Sequence, residues 1–374
     1  MSQYNIRLMK PRVGEKEIKS IKKIFNTGQL VEGQESRDFE KKISKFSGTK
    51  YTALCTSATI GLELALKVLE LPKNAEVLIP SFSHPATLLA VLNANLKPVF
   101  VDVNLFNYQV DELIFENSIT KNTRVLLPVS WGGIPINMKK IVNLAKRNKL
   151  FVIEDAACSI GTNFNNIKTG SLADMTVYSF HPRKLIALGD GGAITTNNFV
   201  FYKKISSLKH FGQKLVKGKI KFFDKGSNYR MSNILAAVGL TQINYLTNLI
   251  KERRKKASYY NSLFKELSWV DLPSIGDKAY ANYQSYCIFI KVKGLRDFCL
   301  KRLRSIGIEC QIGTYAIDRQ PVAKNIKKIG KLKNSFSLEK NLLTLPLHFN
   351  LEKKHQKNTF NEIIKSYELF KKNK

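Results

Sequence analysis

The chain has 374 residues, 44% of them hydrophobic, and carries 61 lysines and arginines against 29 acidic residues for a formal net charge of +32. That is enough apolar material for one large domain and a smaller one; no run approaches the roughly 18 uncharged apolar residues of a membrane span, and residues 1–10 lack a signal-peptide core, so a soluble cytoplasmic protein is expected. The basic residues are spread along the whole chain, many on helix faces as at Lys19, Lys22 and Lys23, with no nucleic-acid-binding module, so the charge reads as a solvated surface whose positive field favours a diphosphate-bearing substrate.

In chain order, residues 15–26 read as an amphipathic helix, with Ile18, Ile21 and Phe25 at helical spacing and Gly28 as its terminator. A leucine- and alanine-rich helix over 58–71 is stopped by Pro72; a strand at 76–80, a helix at 86–95 and strands at 98–103 and 124–129 follow. Next come a helix over 136–148 and strands at 150–153, 175–180 and 193–196. Short apolar strands alternating with helices indicate a largely parallel sheet covered on both faces. Near residue 245 the pattern changes. A charged helical run at 251–256, a strand at 286–292, a helix near 295–306 and a last helix at 354–370 read as a smaller α+β domain, dividing the chain into 1–248 and 249–374.

Four places along this pattern could carry chemistry. Thr56-Ser57-Ala58-Thr59 precedes a helix, whose free N–H groups suit a phosphate, with the Ser57 and Thr59 hydroxyls as further donors; a plain Ser/Thr cap has the same sequence. His84 follows a strand and precedes a helix, where its imidazole could stack on a flat ring or be an ordinary structural histidine. Asp155 closes the strand at 150–153, at the strand end where open α/β sheets bind ligands; it could keep the pyridine nitrogen of pyridoxal phosphate protonated, or cap the next helix. Lys184 lies on the turn between two strands, before Gly189-Asp190-Gly191-Gly192; a lysine whose pKa is lowered forms Schiff bases, though surface lysines are the rule in this chain. Cys55, Cys158, Cys287, Cys299 and Cys310 are scattered, which argues against a disulfide framework or zinc site, and His181, His210, His348 and His355 have no metal-ligand spacing.

Taken in order, these residues resemble the DegT/DnrJ/StrS family of sugar aminotransferases. The resemblance runs from Phe25 to Gly33 and Phe39-Glu40 through Thr56-Ser-Ala-Thr59, Pro80-Ser-Phe-Ser-His-Pro-Ala-Thr87, Pro98-Val-Phe-Val-Asp-Val103 and Glu154-Asp-Ala-Ala157. It continues at Ser179-Phe-His-Pro-Arg-Lys184, Gly189-Asp-Gly-Gly192, Asn228-Tyr-Arg-Met231, Ile312-Gly-Thr-Tyr315 and Leu345-Pro-Leu-His348. It implies a type I pyridoxal-phosphate aminotransferase fold: α/β, a mostly parallel sheet of the seven-stranded type, a smaller C-terminal α+β domain, and a homodimer. By the same resemblance Lys184 carries the cofactor and Asp155 faces its ring nitrogen. Ala58, Thr59 and Ser179 bind its phosphate, Asn228 reaches that phosphate from the partner subunit, and His84 takes the stacking place. Arg230 and Tyr315 match positions near the substrate. Three places depart from the family pattern: Cys158 stands where Gln or His is commoner, Ala58 replaces a glycine, and Ser130-Trp131 differ in the substrate region.

The function implied is transfer of an amino group, with glutamate as donor, to a nucleotide-linked keto-sugar in surface polysaccharide or glycoconjugate assembly. A related sugar dehydratase branch carries histidine in place of the lysine, so the retained Lys184 favours transamination. Two alternatives stand beside it: a dehydratase or other lyase with the same cofactor, and a non-catalytic regulatory or nucleic-acid-binding protein, for which only the charge speaks.

Overall fold

Runs of four or five residues, almost wholly buried, give the chain its main sheet: β1 (Tyr51–Cys55), β2 (Glu76–Pro80), β3 (Lys97–Val101), β4 (Thr123–Leu126), β5 (Phe151–Asp155), β6 (Met175–Ser179) and β7 (Gly192–Thr196). The computed structural model describes residues 4–372; residues 1–3 and 373–374, the outermost ends of the two expected domains and the start of the segment read for a leader, lie outside them. The strand order is β1-β7-β6-β5-β4-β2-β3, and a two-residue strand, Lys327–Lys328, adds an eighth at the β3 edge. β7 runs antiparallel to both its neighbours, and the remaining pairs are parallel.

Helix α1 (Glu15–Thr27) ends, as its sequence predicts, at Gly28, which takes the left-handed φ of 68° that a side chain would resist. Its apolar face divides. Ile24 is buried, whereas Ile18 and Phe25 are 57% and 59% exposed. α2 (Gln34–Ser47) follows, then α3 (Ala58–Lys67) and α4 (Pro85–Asn93). α3 stops at Lys67, short of the expected residue 71: Pro72 disfavours helical backbone at Leu71, and Glu70 swings to a φ of 50°.

A second, antiparallel sheet is built in the order Val270–Asp271, Tyr286–Ile290, Leu342–Leu345, Gln311–Ile312. It shares a core with the helices Leu246–Phe264, Leu295–Ser305 and Lys353–Lys372, in which Tyr260, Phe264, Ile288, Leu303 and Ile363 are fully buried. Ile6 joins this core through a bridge to Ile308. Among the described residues no helix is long and apolar enough to cross a membrane.

Arg253, only 2% exposed, has no carboxylate partner among the described residues; its guanidinium donates to the carbonyls of Tyr283 (3.0 Å), Gln284 (2.9 Å) and Leu347 (2.7 Å). One planar fork thereby satisfies carbonyls of two separate segments. Truncation leaves them buried and unpaired. Arg253→Ala is therefore expected to lower stability by about 3 kcal/mol or more, read as a fall in the urea midpoint at unchanged slope.

Candidate active site

β1, β2, β5 and β6 all end at one edge of the sheet, and the chain leaves each of them there. After β1, Ser57 caps α3: its Oγ accepts from Ile60 N at 3.2 Å, which leaves the hydroxyl proton free. The N–H groups of Ala58 and Thr59 belong to the first turn, where no intrahelical acceptor exists. Gly192, the first residue of β7, pairs with Cys55 on one side and Ser179 on the other. A Cβ there would lie 2.6 Å from Ser57 C and 2.7 Å from Ala58 N, so only glycine lets β7 lie against this helix start.

After the short strand Phe82–Ser83, His84 caps α4, its Nδ1 accepting from Ala86 N at 3.2 Å. The proton of the neutral ring then sits on Nε2. Asp155, the last residue of β5, is 5% exposed. Its Oδ1 accepts from Ala157 N at 3.1 Å and its Oδ2 from the Thr87 hydroxyl at 2.9 Å. Burial raises its pKa, and those two hydrogen bonds together with the charge of Lys184 pull against that rise. Ser179 ends β6, its Oγ accepting from His181 N at 3.4 Å. The loop beyond it brings the Lys184 amine to 3.0 Å from Cys158 Sγ.

These side chains open on one cleft of about 370 Å³, whose walls include Ser57, Ala58, Thr59, His84, Asp155, Cys158, Ser179 and Lys184. Asn228, Arg230 and Tyr315 are not among its walls. Asn228 is exposed, its Oδ1 accepting from Arg230 Nε at 3.0 Å, and Tyr315 is 42% exposed. Of the residues noted as departures, Trp131 lines the cleft, whereas Ser130 is fully buried with its hydroxyl donating to Glu154 at 2.8 Å. Gln284, Gln311 and Thr314 close the cleft from the second sheet's side, and Arg183 donates to Gln311 Oε1 at 2.9 Å across the gap. No local sequence signal marks those residues; they lie far along the chain from the rest. Thr87 was within reach, standing three residues after His84 on the same turn of helix.

The cleft suits a small anionic ring compound. A phosphate fits the uncapped N–H groups of α3 and the Ser57 and Ser179 hydroxyls. The buried carboxylate fits a protonated ring nitrogen, and the lysine amine a carbonyl carbon. Pyridoxal phosphate carries all three groups.

The sequence profile of the DegT/DnrJ/EryC1/StrS aminotransferase family matches residues 11–364. The GDP-perosamine synthase of Caulobacter vibrioides is 32% identical over 277 residues, 73% of this chain and 74% of that protein. The UDP-4-amino-4,6-dideoxy-N-acetyl-β-L-altrosamine transaminase of Helicobacter pylori is 25% identical over 369 residues, 96% of this chain and 97% of that one. The crystal structure of E. coli GDP-4-keto-6-deoxy-D-mannose-3-dehydratase with bound hydrated pyridoxal phosphate superposes with a TM-score of 0.90 at 22% identity, covering 96% of this chain and 99% of that chain; at this identity the likeness is one of fold.

The crowding at Gly192 generates a test. Gly192→Ala is expected to push the start of α3 away from β7 and to weaken pyridoxal phosphate binding by on the order of tenfold or more, with helix content by circular dichroism unchanged. Cofactor affinity by fluorescence titration checks it.

Proposed function

The chain belongs to the DegT/DnrJ/EryC1/StrS aminotransferase family, and on that premise we propose that it moves an amino group from glutamate onto a keto-sugar carried by a nucleoside diphosphate, with pyridoxal phosphate bound at Lys184. One observation carries the proposal: a lysine amine, a buried carboxylate and an open helix N-terminus meet in a single cleft. The relatives named above act on GDP- and UDP-linked amino sugars by their names, which supports a nucleotide-sugar substrate and leaves the nucleotide open. The E. coli dehydratase shares the fold, but the lysine kept at position 184 favours transamination.

Pyridoxal phosphate supplies, when bound, an aldehyde to which amines add and a ring that draws electrons from the carbon being deprotonated. Ala58, Thr59, Ser57 and Ser179 hold its phosphate through N–H and O–H donors. Asp155 would hold the ring nitrogen, and His84 would lie against the ring. The Lys184 amine makes the covalent attachment. With the cofactor bound, the same amine would take the proton from the donor's Cα and, in the second half of the reaction, return a proton at the sugar carbon. Cys158 gives that amine only a soft hydrogen-bond partner, so Lys184 is free to move between these positions. In balance, glutamate nitrogen ends on the sugar carbon, and the sugar's carbonyl oxygen is matched by that of the keto acid released.

The site is shared with a second copy of the chain in this proposal. Phe25 and Val31, together with Phe211, Leu215 and Phe222, leave large apolar side chains exposed. Asn228 lies beyond the hairpin formed by Gln213–Val216 and Lys219–Phe222, bridged to His210. A second copy seated on these surfaces would bury them and bring Asn228 toward the partner's phosphate. The five cysteines, all unpaired, accord with the reducing cytoplasm.

Two outcomes follow. Lys184→Ala loses transamination and the cofactor's yellow colour, and borohydride reduction of the wild type followed by peptide mapping places the label on Lys184; a label on another residue refutes the attachment. Asn228→Ala binds pyridoxal phosphate more weakly, and mixing it with Lys184→Ala restores activity through hybrid dimers with one intact site. No recovery from two folded parents counts against sharing.

A further inference from the structure

A carboxylate that is 5% exposed does not stay ionised without help, and the help is visible two layers deep. The Thr87 hydroxyl lies 2.9 Å from Asp155 Oδ2, and the Ser83 hydroxyl lies 2.9 Å from that of Thr87. Thr87 is fully buried and Ser83 is 1% exposed, so water does not compete for either. The carbonyl of Ser83 is held in turn by the Thr314 hydroxyl at 2.9 Å, and Ser83 pairs with Tyr315 across a two-residue ladder.

Proton counting orders the chain. An ionised carboxylate only accepts, so the single Thr87 proton goes to Oδ2. The Ser83–Thr87 contact then needs the proton of Ser83. Each hydroxyl thus donates toward the carboxylate, and each bond polarises the next. The other groups around Asp155 act in both directions. Lys184 on the loop after β6 and the Ala157 N–H favour the charge; His84, at the start of α4, favours it only when protonated. Glu154, beside it on β5, is turned to Ser130 and the Gly170 N–H, so it is engaged elsewhere.

We infer that Thr87 is a positioning residue for the reaction: it holds the Asp155 carboxylate ionised and aimed into the cleft, as the last hydroxyl of a relay running from Ser83. Its effect on the cofactor rests on the function proposed above, because an ionised Asp155 is what a protonated ring nitrogen requires.

The test compares the unaltered protein with Thr87→Val, which keeps the shape and removes the hydroxyl, and with Thr87→Ser, which keeps the hydroxyl. Pyridoxal phosphate affinity is measured on the cofactor-free protein by fluorescence from pH 5 to 9. Removing a bond to the charged carboxylate raises its pKa. Binding, which needs the ionised form, is therefore lost at a higher pH as the solution is acidified. Thr87→Val is expected to bind on the order of tenfold more weakly at neutral pH, with the acid limb moved up by about one pH unit, and Thr87→Ser to lie close to the wild type. An unmoved limb in folded Thr87→Val, or a serine variant as impaired as the valine one, overturns the assignment. If Thr87→Val does not fold, Ser83→Ala reads the same relay: an upward shift of the limb supports it and an unmoved limb refutes it. Failure of the wild type itself to bind pyridoxal phosphate would instead refute the proposed function.

Discussion

One strand of the large sheet runs against the rest, and the cleft depends on that reversal. Between parallel neighbours, the chain must cross over from one edge to the other, and a residue in the connection is carried away from the strand ends. β6 and β7 are antiparallel, so the loop joining them stays at the edge where β1, β5 and β6 end. Lys184 is in that loop. It therefore opens on the same cleft as Asp155 and Ser57 without any crossover helix to place it. The reversed strand in turn has to lie flush against the start of α3, and the bare Cα of Gly192 permits this.

The second sheet reaches the cleft through directional polar contacts. Asn282 Nδ2 donates to the carbonyls of Cys158 at 3.1 Å and Ile160 at 2.9 Å, Gln284 Nε2 donates to the Arg183 carbonyl, and Arg183 reaches back to Gln311. Apolar surfaces can slide by an ångström at small cost, whereas hydrogen bonds fail over that distance. Arg253 binds the backbone of Tyr283 and Gln284, so the polar seam is anchored from the helix behind it as well as from the cleft in front. The cleft walls on opposite sides are thus held in fixed relation by groups that discriminate position.

Sequence made the inner lining of the candidate site legible because each residue there sits within a few positions of a strand end: Ser57 after β1, Asp155 closing β5, Ser179 closing β6 and Lys184 after it. Thr87 stood inside a quoted motif, yet its role was hidden because its partner Asp155 is 68 residues away. Gln284, Gln311 and Thr314 enter from another sheet, and spacing along the chain carries no trace of that. Helix Asn233–Gln242 went unread for a different reason. Its sequence, NILAAVGLTQ, is apolar or small on almost every side, so periodicity has no contrast to report. In α1 the contrast was present but meant something else, since Ile18 and Phe25 face outward rather than into the core of their own chain.

The charge of +32 is the easiest property to misread, and the ion pairs show why. Several buried or half-buried acids are paired with lysines: Lys209 pairs with Glu32 at 2.7 Å and Glu40 at 3.4 Å, Lys327 with Glu76 at 2.7 Å, and Lys328 with Asp318 at 3.1 Å. With so few acids in the chain, the surplus is left mostly on solvated surfaces. There, fields fade over about 8 Å at physiological salt. A lysine on the last helix, far along the surface, adds to solubility and nothing to the approach of a ligand. What a ligand would meet is set at the cleft itself, where Arg183 and His181 are exposed beside Lys184 and where the exposed Asp190 also stands. Arg183 donates there to a neutral amide rather than to a carboxylate. The sum over the chain is therefore compatible with many functions, and the balance of charge around the cleft is the part that bears on the proposed one.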